Sequence, residues 1–394
     1  MEGCVLPENL IFEVLSRLPV KTITRCKCVC KKWRDLVSDT YFVHLHLSRS
    51  PPCLMFHWYL PILDRILELV EVEHEAEYDR LTLHHVKTLN LQLSAFRASN
   101  GIIQVGSVNG LICLCHTFDA TYVFNPVLEE YMTLPRPPRL RNITLLGHGF
   151  GVSMAGEYKV IRTLGRSISQ VPIEVSVEIQ VYTFGTDQWR SLGPTPFNIT
   201  HPGEVGGVFV NSHVYWVIFG QIFDFDLDAE TFELNPSPPG YDTESKRMLG
   251  VLKGSCLSLF SWTSLGFTVW VMKGESWYKA IAMIEENMDP VLKSLEWKPV
   301  YLIDGSDGTS ILIFWPQGTD SLEADCLDTN KILDLNLPGN FWTVMSTYRP
   351  SFVKLQNFGS FRVHSLYGND SAFVKDRYKS SLKLERMHQT SFHV

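Results

Sequence analysis

Several features that would announce a function are missing from this sequence. There is no uncharged apolar run of about 18 residues and no apolar leader of signal-peptide type, so neither a helical membrane span nor secretion is expected. Charge of neither sign dominates: 35 Lys and Arg stand against 42 Asp and Glu in 394 residues, a net charge of −7. That balance provides no global attraction to nucleic acid or an anionic membrane, and neither is expected as a partner. The nine cysteines lack paired spacing, and the crowded Cys26, Cys28 and Cys30 have no His or fourth Cys at zinc-ligand spacing. Reduced thiols in the cytoplasm or nucleus are therefore expected, without metal, and the glycosylation triplets at Asn142, Asn198 and Asn369 carry no weight there. The acidic stretch from Glu68 through Glu71, Glu73, Glu75 and Glu77 to Asp79 lacks the Gly and ligand order of a calcium loop. No nucleophile elbow or phosphate loop is present, and the scattered histidines, His148 among them, have no Ser or Cys in a nucleophile setting. Neither catalysis nor a cofactor is expected.

Apolar and aromatic residues are abundant, at 45% and 12% of the chain. That is enough to bury a large core. Residues 1–48 read as helix and most of the rest as strand, with a boundary near Ser48, Arg49, Ser50, Pro51 and Pro52. Pro7 can begin a helix whose apolar face is Leu10, Ile11, Val14, Leu15 and Leu18, ended by Pro19. A second helix, capped by Thr22, carries Ile23, Cys26, Val29, Cys30, Trp33, Leu36 and Val37 on one side and a basic stripe around the rest. Tyr41, Phe42, Leu45 and Leu47 suggest a short third helix. A unit of about 45 residues cannot bury that much apolar surface against itself. Some of that surface needs another protein, the rival reading being that the three helices simply pack on the strand domain behind them.

The string Leu6 to Lys21, with its Leu-Pro, Ile/Leu face and Leu-Pro-Val-Lys, followed by Val29-Cys30-Lys31-Lys32-Trp33, resembles the F-box motif nearly position for position. The resemblance implies docking onto a SKP-type adaptor of a cullin–RING ubiquitin ligase. The residues it assigns to that contact are Leu6, Pro7, Ile11, Val14, Leu15, Leu18, Pro19, Val20, Ile23, Cys26, Val29, Cys30, Trp33 and Val37.

Beyond residue 100 an apolar or aromatic residue recurs seven positions before another, across a polar turn: Phe124/Tyr131, Tyr182/Trp189, Phe225/Phe232, Trp270/Trp277 and, more weakly, Asp325/Ile332. That spacing suits a hairpin whose residues face each other across the turn. Upstream lie further turn signals at Asn109-Gly110, Asn211-Ser212, Lys253-Gly254 and Asp307-Gly308, while the remaining copy uses Ala155-Gly156 and carries an extra loop from Arg162 to Ser176. About four strands per ~45 residues is the pattern of a propeller blade. Five blades are visible, and a sixth could be closed by strands at Cys53–Leu60 and Val86–Leu93 with the tail from Trp342 to Leu366. The expected fold is thus a small all-α unit of three short helices (residues 1–48), a linker with first strands (49–100), and a mainly-β domain (101–394), a propeller of about six four-stranded blades.

Val108-Asn109-Gly110-Leu111-Ile112-Cys113-Leu114, Val123-Phe124-Asn125-Pro126, Gly149-Phe150-Gly151, Tyr158-Lys159-Val160 and Phe223-Asp224-Phe225-Asp226-Leu227, in that order, resemble the plant F-box-associated, kelch- or propeller-like interaction domain. The two resemblances imply a non-catalytic receptor subunit of an SCF-type ligase, with the propeller holding an unknown target protein through loops. Arg162, Arg166, Glu71 and Glu75 are the candidate target contacts. An F-box scaffold that delivers no target, and a glycan-binding or hydrolytic propeller, stay open as alternatives.

Overall fold

Proline shapes the start of the chain. In the computed structural model, Pro7 (φ −55°, ψ 142°) and Pro19 (φ −57°, ψ 146°) sit immediately before helices α1 (Glu8–Leu15) and α2 (Val20–Cys26), and their carbonyls accept the first helical N–H groups. Their fixed φ suits that position, where a missing N–H costs nothing. Helix α3 (Lys31–Val37) is capped by the Cys30 thiol, which accepts from Trp33 N at 3.4 Å. Helix α4 (Thr40–Arg49) is capped by the Asp39 carboxylate, which accepts from Tyr41 N at 2.8 Å. Among the described residues the unit therefore has four helices, where periodicity predicted three. The single helix expected from Thr22 breaks at Cys28–Cys30, where Cys30 is extended (φ −158°, ψ 165°). Periodicity missed the break because both halves turn their apolar residues to one core, and the true cap of the first half is Pro19 rather than Thr22.

The structure describes residues 7–58, 66–75, 80–90, 102–116, 120–138, 143–170, 173–199, 205–218, 220–239, 246–252, 255–263, 266–284, 297–304, 310–316, 322–326, 331–335, 342–359 and 362–366. Among the described residues the strands form six sheets. The first holds β1 (Cys53–Trp58), β2 (Ile66–Glu75) and β3 (Arg80–Asn90); the second holds β4 (Ile102–Val108), β5 (Leu111–His116), β6 (Thr121–Asn125) and β7 (Glu130–Thr133). The third consists of β8 (Ile143–Val152), β9 (Tyr158–Gln170), β10 (Ile173–Thr183) and β11 (Arg190–Ile199), with the two-residue β12 (Val205–Gly206) running parallel to β8. The fourth is β13 (Val208–Val210), β14 (His213–Ile218), β15 (Gln221–Asp226) and β16 (Phe232–Asn235). The fifth is β17 (Lys246–Leu252), β18 (Cys256–Thr263), β19 (Gly266–Lys273) and β20 (Ser276–Ile284), and the sixth is β21 (Trp297–Asp304), β22 (Ser310–Pro316), β23 (Leu322–Cys326) and β24 (Lys331–Leu335). Two late strands return to early sheets: β25 (Trp342–Tyr348) pairs with β1, and β26 (His364–Ser365) pairs with β7. A short helical unit followed by a mainly-β propeller is the result.

Three of the five spaced pairs are direct cross-strand partners: Phe124↔Tyr131, Phe225↔Phe232 and Asp325↔Ile332. Tyr182 and Trp189 also meet, with ring centroids 5.4 Å apart. Trp270 is not the cross-strand partner of Trp277. The two-residue turn between Lys273 and Ser276 starts a register that sets Trp270 opposite Lys279, whose ammonium lies 5.3 Å from the Trp270 ring. The extra loop expected from Arg162 to Ser176 is instead the paired length of β9 and β10, in register from Thr183↔Lys159 to Ile173↔Gln170. The predicted turns at Lys253-Gly254 and Asp307-Gly308 lie outside the described residues. Asn109 (φ 51°) and Gly110 (φ 79°) form the predicted two-residue turn between β4 and β5. That turn is also a seat for the closing segment: Ser351 Oγ donates to Asn109 O at 2.6 Å and Tyr348 OH to Gly110 O at 3.2 Å.

Candidate functional site

The four helices share a core with the propeller. Ile11, Leu15, Val20, Ile23, Leu36, Val37, Phe42 and Val43 are buried together with Val127 from the β6–β7 turn and Phe352 from the segment after β25. Phe352 packs edge-on against His46 at 5.3 Å, and Lys27 Nζ lies 5.2 Å from its ring centroid on another side. Arg49 reaches back from α4 to Glu13 (2.8 Å), and the hydrogen bonds from Arg17 and Arg49 hold the Glu13 carboxyl below its ordinary pKa. Asn125 Nδ2 donates to Ser351 O and Val353 O at 3.1 and 2.7 Å, pinning the segment that carries Phe352.

This packing sorts the fourteen residues assigned to the adaptor contact. Ile11, Leu15, Val20, Ile23 and Val37 are buried, and Leu18, Cys26 and Trp33 are half-buried against the same core. These eight hold the helices to one another and to the propeller, so they are not free for the adaptor contact that the resemblance assigned to them. The β domain supplies enough apolar surface to cover them. Pro7, Val14, Pro19, Val29 and Cys30 are exposed, while Leu6 lies outside the described residues.

The uncovered apolar surface is therefore narrower and partly different: Leu10 (49% exposed), Val14 (59%), Val29 (65%) and Tyr41 (64%). Leu10 and Val14 stand one turn apart on α1 and share a stripe. Tyr41 is held edge-on to Phe12 at 5.6 Å. Leu10 and Tyr41 belong to the site although the motif did not assign them. Their signal was available at the i−4 spacing of Leu10 from Val14 and in the apolar run that opens α4. Lys31, Lys32 and Arg34 of α3 are exposed, and Lys32 pairs with Glu8 of α1 at 3.1 Å. Exposed apolar side chains on a unit that also presents charged ones are what a protein-docking surface offers.

The four candidate target contacts are not brought together. Glu71 opposes Cys53 at the β1 end joined to α4, so it lies on the helical side of the ring. It is half-buried, and desolvation raises its carboxyl pKa. Glu75 is placed at the end of β2, still farther toward that side. Arg166 opposes Ile143 at the far end of β8, away from the helices, and is exposed. Arg162 is buried, which overturns its assignment as a target contact. Its place is between two sheets because β9 continues as paired strand there. A cavity of about 370 Å³ lies under α4, lined by His44, Leu47, Ser48 and Pro52 on one side and by Ser107, Phe209, Val251, Tyr348 and Arg349 among others on the ring. The helical unit thus lies across one end of the central channel. Among the described residues no group of three metal-ligating side chains converges.

Comparison with known proteins agrees with both parts of this architecture. A family described as the F-box domain matches residues 4–45, and one described as the F-box associated beta propeller domain matches residues 66–355. Similar proteins of Arabidopsis thaliana include F-box protein At3g07870, 29% identical over 72% of this chain and 75% of that one. F-box/kelch-repeat protein At3g23880 is 26% identical over 71% of this chain and 79% of its own length. The protein SUPPRESSOR OF NIM1 1 is 24% identical over 78% of this chain and 89% of its own length.

Proposed function

Because the chain belongs to the F-box proteins that carry an F-box associated β-propeller domain, we propose that it is the target-recruiting subunit of a SKP–cullin–RING ubiquitin ligase. Its stripe of Leu10, Val14, Val29 and Tyr41 would seat the SKP-type adaptor. The observation that carries this reading is selective coverage: the core shared with the propeller buries five of the predicted docking residues and half-buries three more, yet leaves Leu10, Val14, Val29 and Tyr41 open on the same helical unit. Burying each such side chain against a partner is worth roughly 1.5–3 kcal/mol, enough in sum for a stable contact.

The chain itself would break and form no bonds. Its contribution is position, since the shared core around Phe352 fixes the helices relative to the ring. A target held by the ring is then presented at a constant distance from the catalytic subunits, raising the local concentration of its lysines. With α4 across one end of the channel, the opposite end, where Arg166 is exposed, is the better placed to receive a target. We read the ring as six-bladed. Supporting this, β4 lies against β8, β8 against β13, β14 against β17, β17 against β21, β21 against β25, and β25 against β4. The division into residues 1–48, 49–100 and 101–394, and a cytoplasmic or nuclear location, belong to the same proposal.

The test is co-purification of a SKP-type adaptor with the full chain and with Leu10→Ser, Val14→Ser and Val29→Ser combined. These side chains are exposed, so the variant should keep its melting temperature while losing the adaptor. Undiminished capture by the triple variant would overturn the assignment. Leu18 and Trp33 are poor choices for this purpose, because removing them would also loosen the core.

A further inference from the structure

Helix α4 serves two neighbours. Phe42, Val43 and His46 belong to its packing around Phe352, whereas His44, Leu47 and Ser48, at positions i, i+3 and i+4, line the cavity of about 370 Å³ beneath the helix. The rest of the wall comes from the ring, through residues of β4, β13, β17 and β25 or at their ends. One helix and four sheets therefore meet around a space of the size usual for a small-molecule site.

The polar groups on that wall divide into those already engaged and those that are not. Tyr348 OH donates to Gly110 O at 3.2 Å, Asn109 Nδ2 to Tyr158 OH at 2.9 Å, and Ser48 Oγ to Leu45 O at 2.8 Å. By contrast, the side chains of Arg349, Ser107 and His44 have no hydrogen bond or ion pair among the described residues. Arg349 matters most of the three. A guanidinium is a permanent cation with five N–H donors and no acceptor, and here it is half-buried just past the end of β25. It has given up part of its water without gaining an anion, for among the described residues no Asp or Glu lines the cavity. Much of the remaining wall is apolar, with Leu47, Pro52, Phe209 and Val251.

We propose that this cavity binds a small organic carboxylate, its charged end on Arg349 and its apolar body against Leu47, Phe209 and Val251. Arg349 accounts for the acid, because a guanidinium meets a carboxylate with two parallel hydrogen bonds. The apolar wall accounts for the body, since an inorganic anion would leave that surface in water. Helix α4 covers the space, which favours a free acid over the acidic side chain of a docked protein. Once bound, the acid joins α4 to the ring at a second place, beside the core around Phe352. The inference does not rest on the ligase reading, and either can fail alone.

The experiment titrates the full chain with 3-phenylpropanoate, with its primary amide as the neutral isostere and with inorganic phosphate as an anion lacking a body, reading heat of binding and melting temperature. The acid should bind with a dissociation constant below about 1 mM, raise the melting temperature, and bind at least about tenfold tighter than the amide or phosphate. Arg349→Gln should remove the advantage of acid over amide. Leu47→Trp fills the cavity from α4 while leaving Arg349 in place, and should abolish binding of both. Equal affinity for acid and amide, or for acid and phosphate, would overturn the proposal, and so would acid binding that survives both substitutions. Absence of acid binding at about 10 mM would do the same. Tighter binding of the peptide acetyl-Phe-Asp-Phe-amide than of the acid would mark a seat for a protein side chain and would also reject it. Comparing the acid with the amide uses the unaltered chain, so the proposal can fail even where a variant does not fold.

Discussion

At the scale of single residues, the helical core contains one titrating group with a legible consequence. His46 is buried between Phe42 and Phe352, its Nε2 faces Leu18 O at 3.4 Å, and its Nδ1 has no partner among the described residues. Desolvation lowers its pKa from the ordinary 6.5, and the contact with Leu18 O opposes this without reversing it. In the unfolded chain His46 takes up a proton as pH falls through 6.5; in the folded chain it resists. Its contribution to stability is therefore whole above that pH and is lost as pH falls toward the lower folded value. His148 acts in the same direction, so the group must be isolated by substitution. Melting temperature measured from about pH 7 to pH 5 should fall less steeply in His46→Gln than in the wild type. Parallel curves for the two proteins would show that His46 does not titrate as its burial requires.

The elements that close the ring meet at a single turn. Gly110 has φ 79°, and a Cβ built on it would lie 2.1 Å from Ser351 Oγ and 2.8 Å from Ser351 N. The turn needs glycine twice over, for its left-handed backbone and for the close approach of the closing segment. Gly110→Ala should cost about 2 kcal/mol or more and lower the thermal midpoint by several degrees. An unchanged melting curve would mean that Ser351 and its neighbours shift aside freely. Gly156, also at positive φ but with nothing within 4 Å, is the matched control and should lose only the backbone part. Closure itself is a strand pairing between distant parts of the chain, from Cys53↔Tyr348 to Trp58↔Trp342. Such pairing protects edges that would otherwise seek other chains. Asn-Gly at 109–110 was readable as a turn, whereas its second role depends on a residue 241 positions later and has no local signature.

For the whole molecule, the helical unit and the propeller behave as one body because their cores are continuous. Val127 and Phe352 complete the cluster that Ile11, Leu15, Ile23, Val37 and Phe42 begin. A fragment of residues 1–50 should therefore show little helical circular dichroism alone. Phe352→Ala in the full chain should destabilise the helices by about 3–5 kcal/mol while sparing the ring. A well-folded isolated fragment would refute this dependence and return the buried residues to service as an independent docking face. Two positions expected at a recognition surface illustrate the same point. Arg162 ended between sheets because it lies within the paired length of β9, opposite His148 and Gln180, and Glu71 ended on the helical side because of strand direction.

Read alone, the chain already dictated helices before strands, the places of Pro7 and Pro19, the hairpin pairs Phe124/Tyr131 and Phe225/Phe232, and the motif that identifies its family. These rest on interactions within a few residues or on periodicity, and both are written locally. Folding in three dimensions settled which apolar residues on the helices remained for a partner, since that depended on how much surface Phe352 and Val127 could cover. It also brought His44, Ser107 and Arg349 to one cavity, because side chains from separate elements meet only once sheet register and ring closure have set their distances.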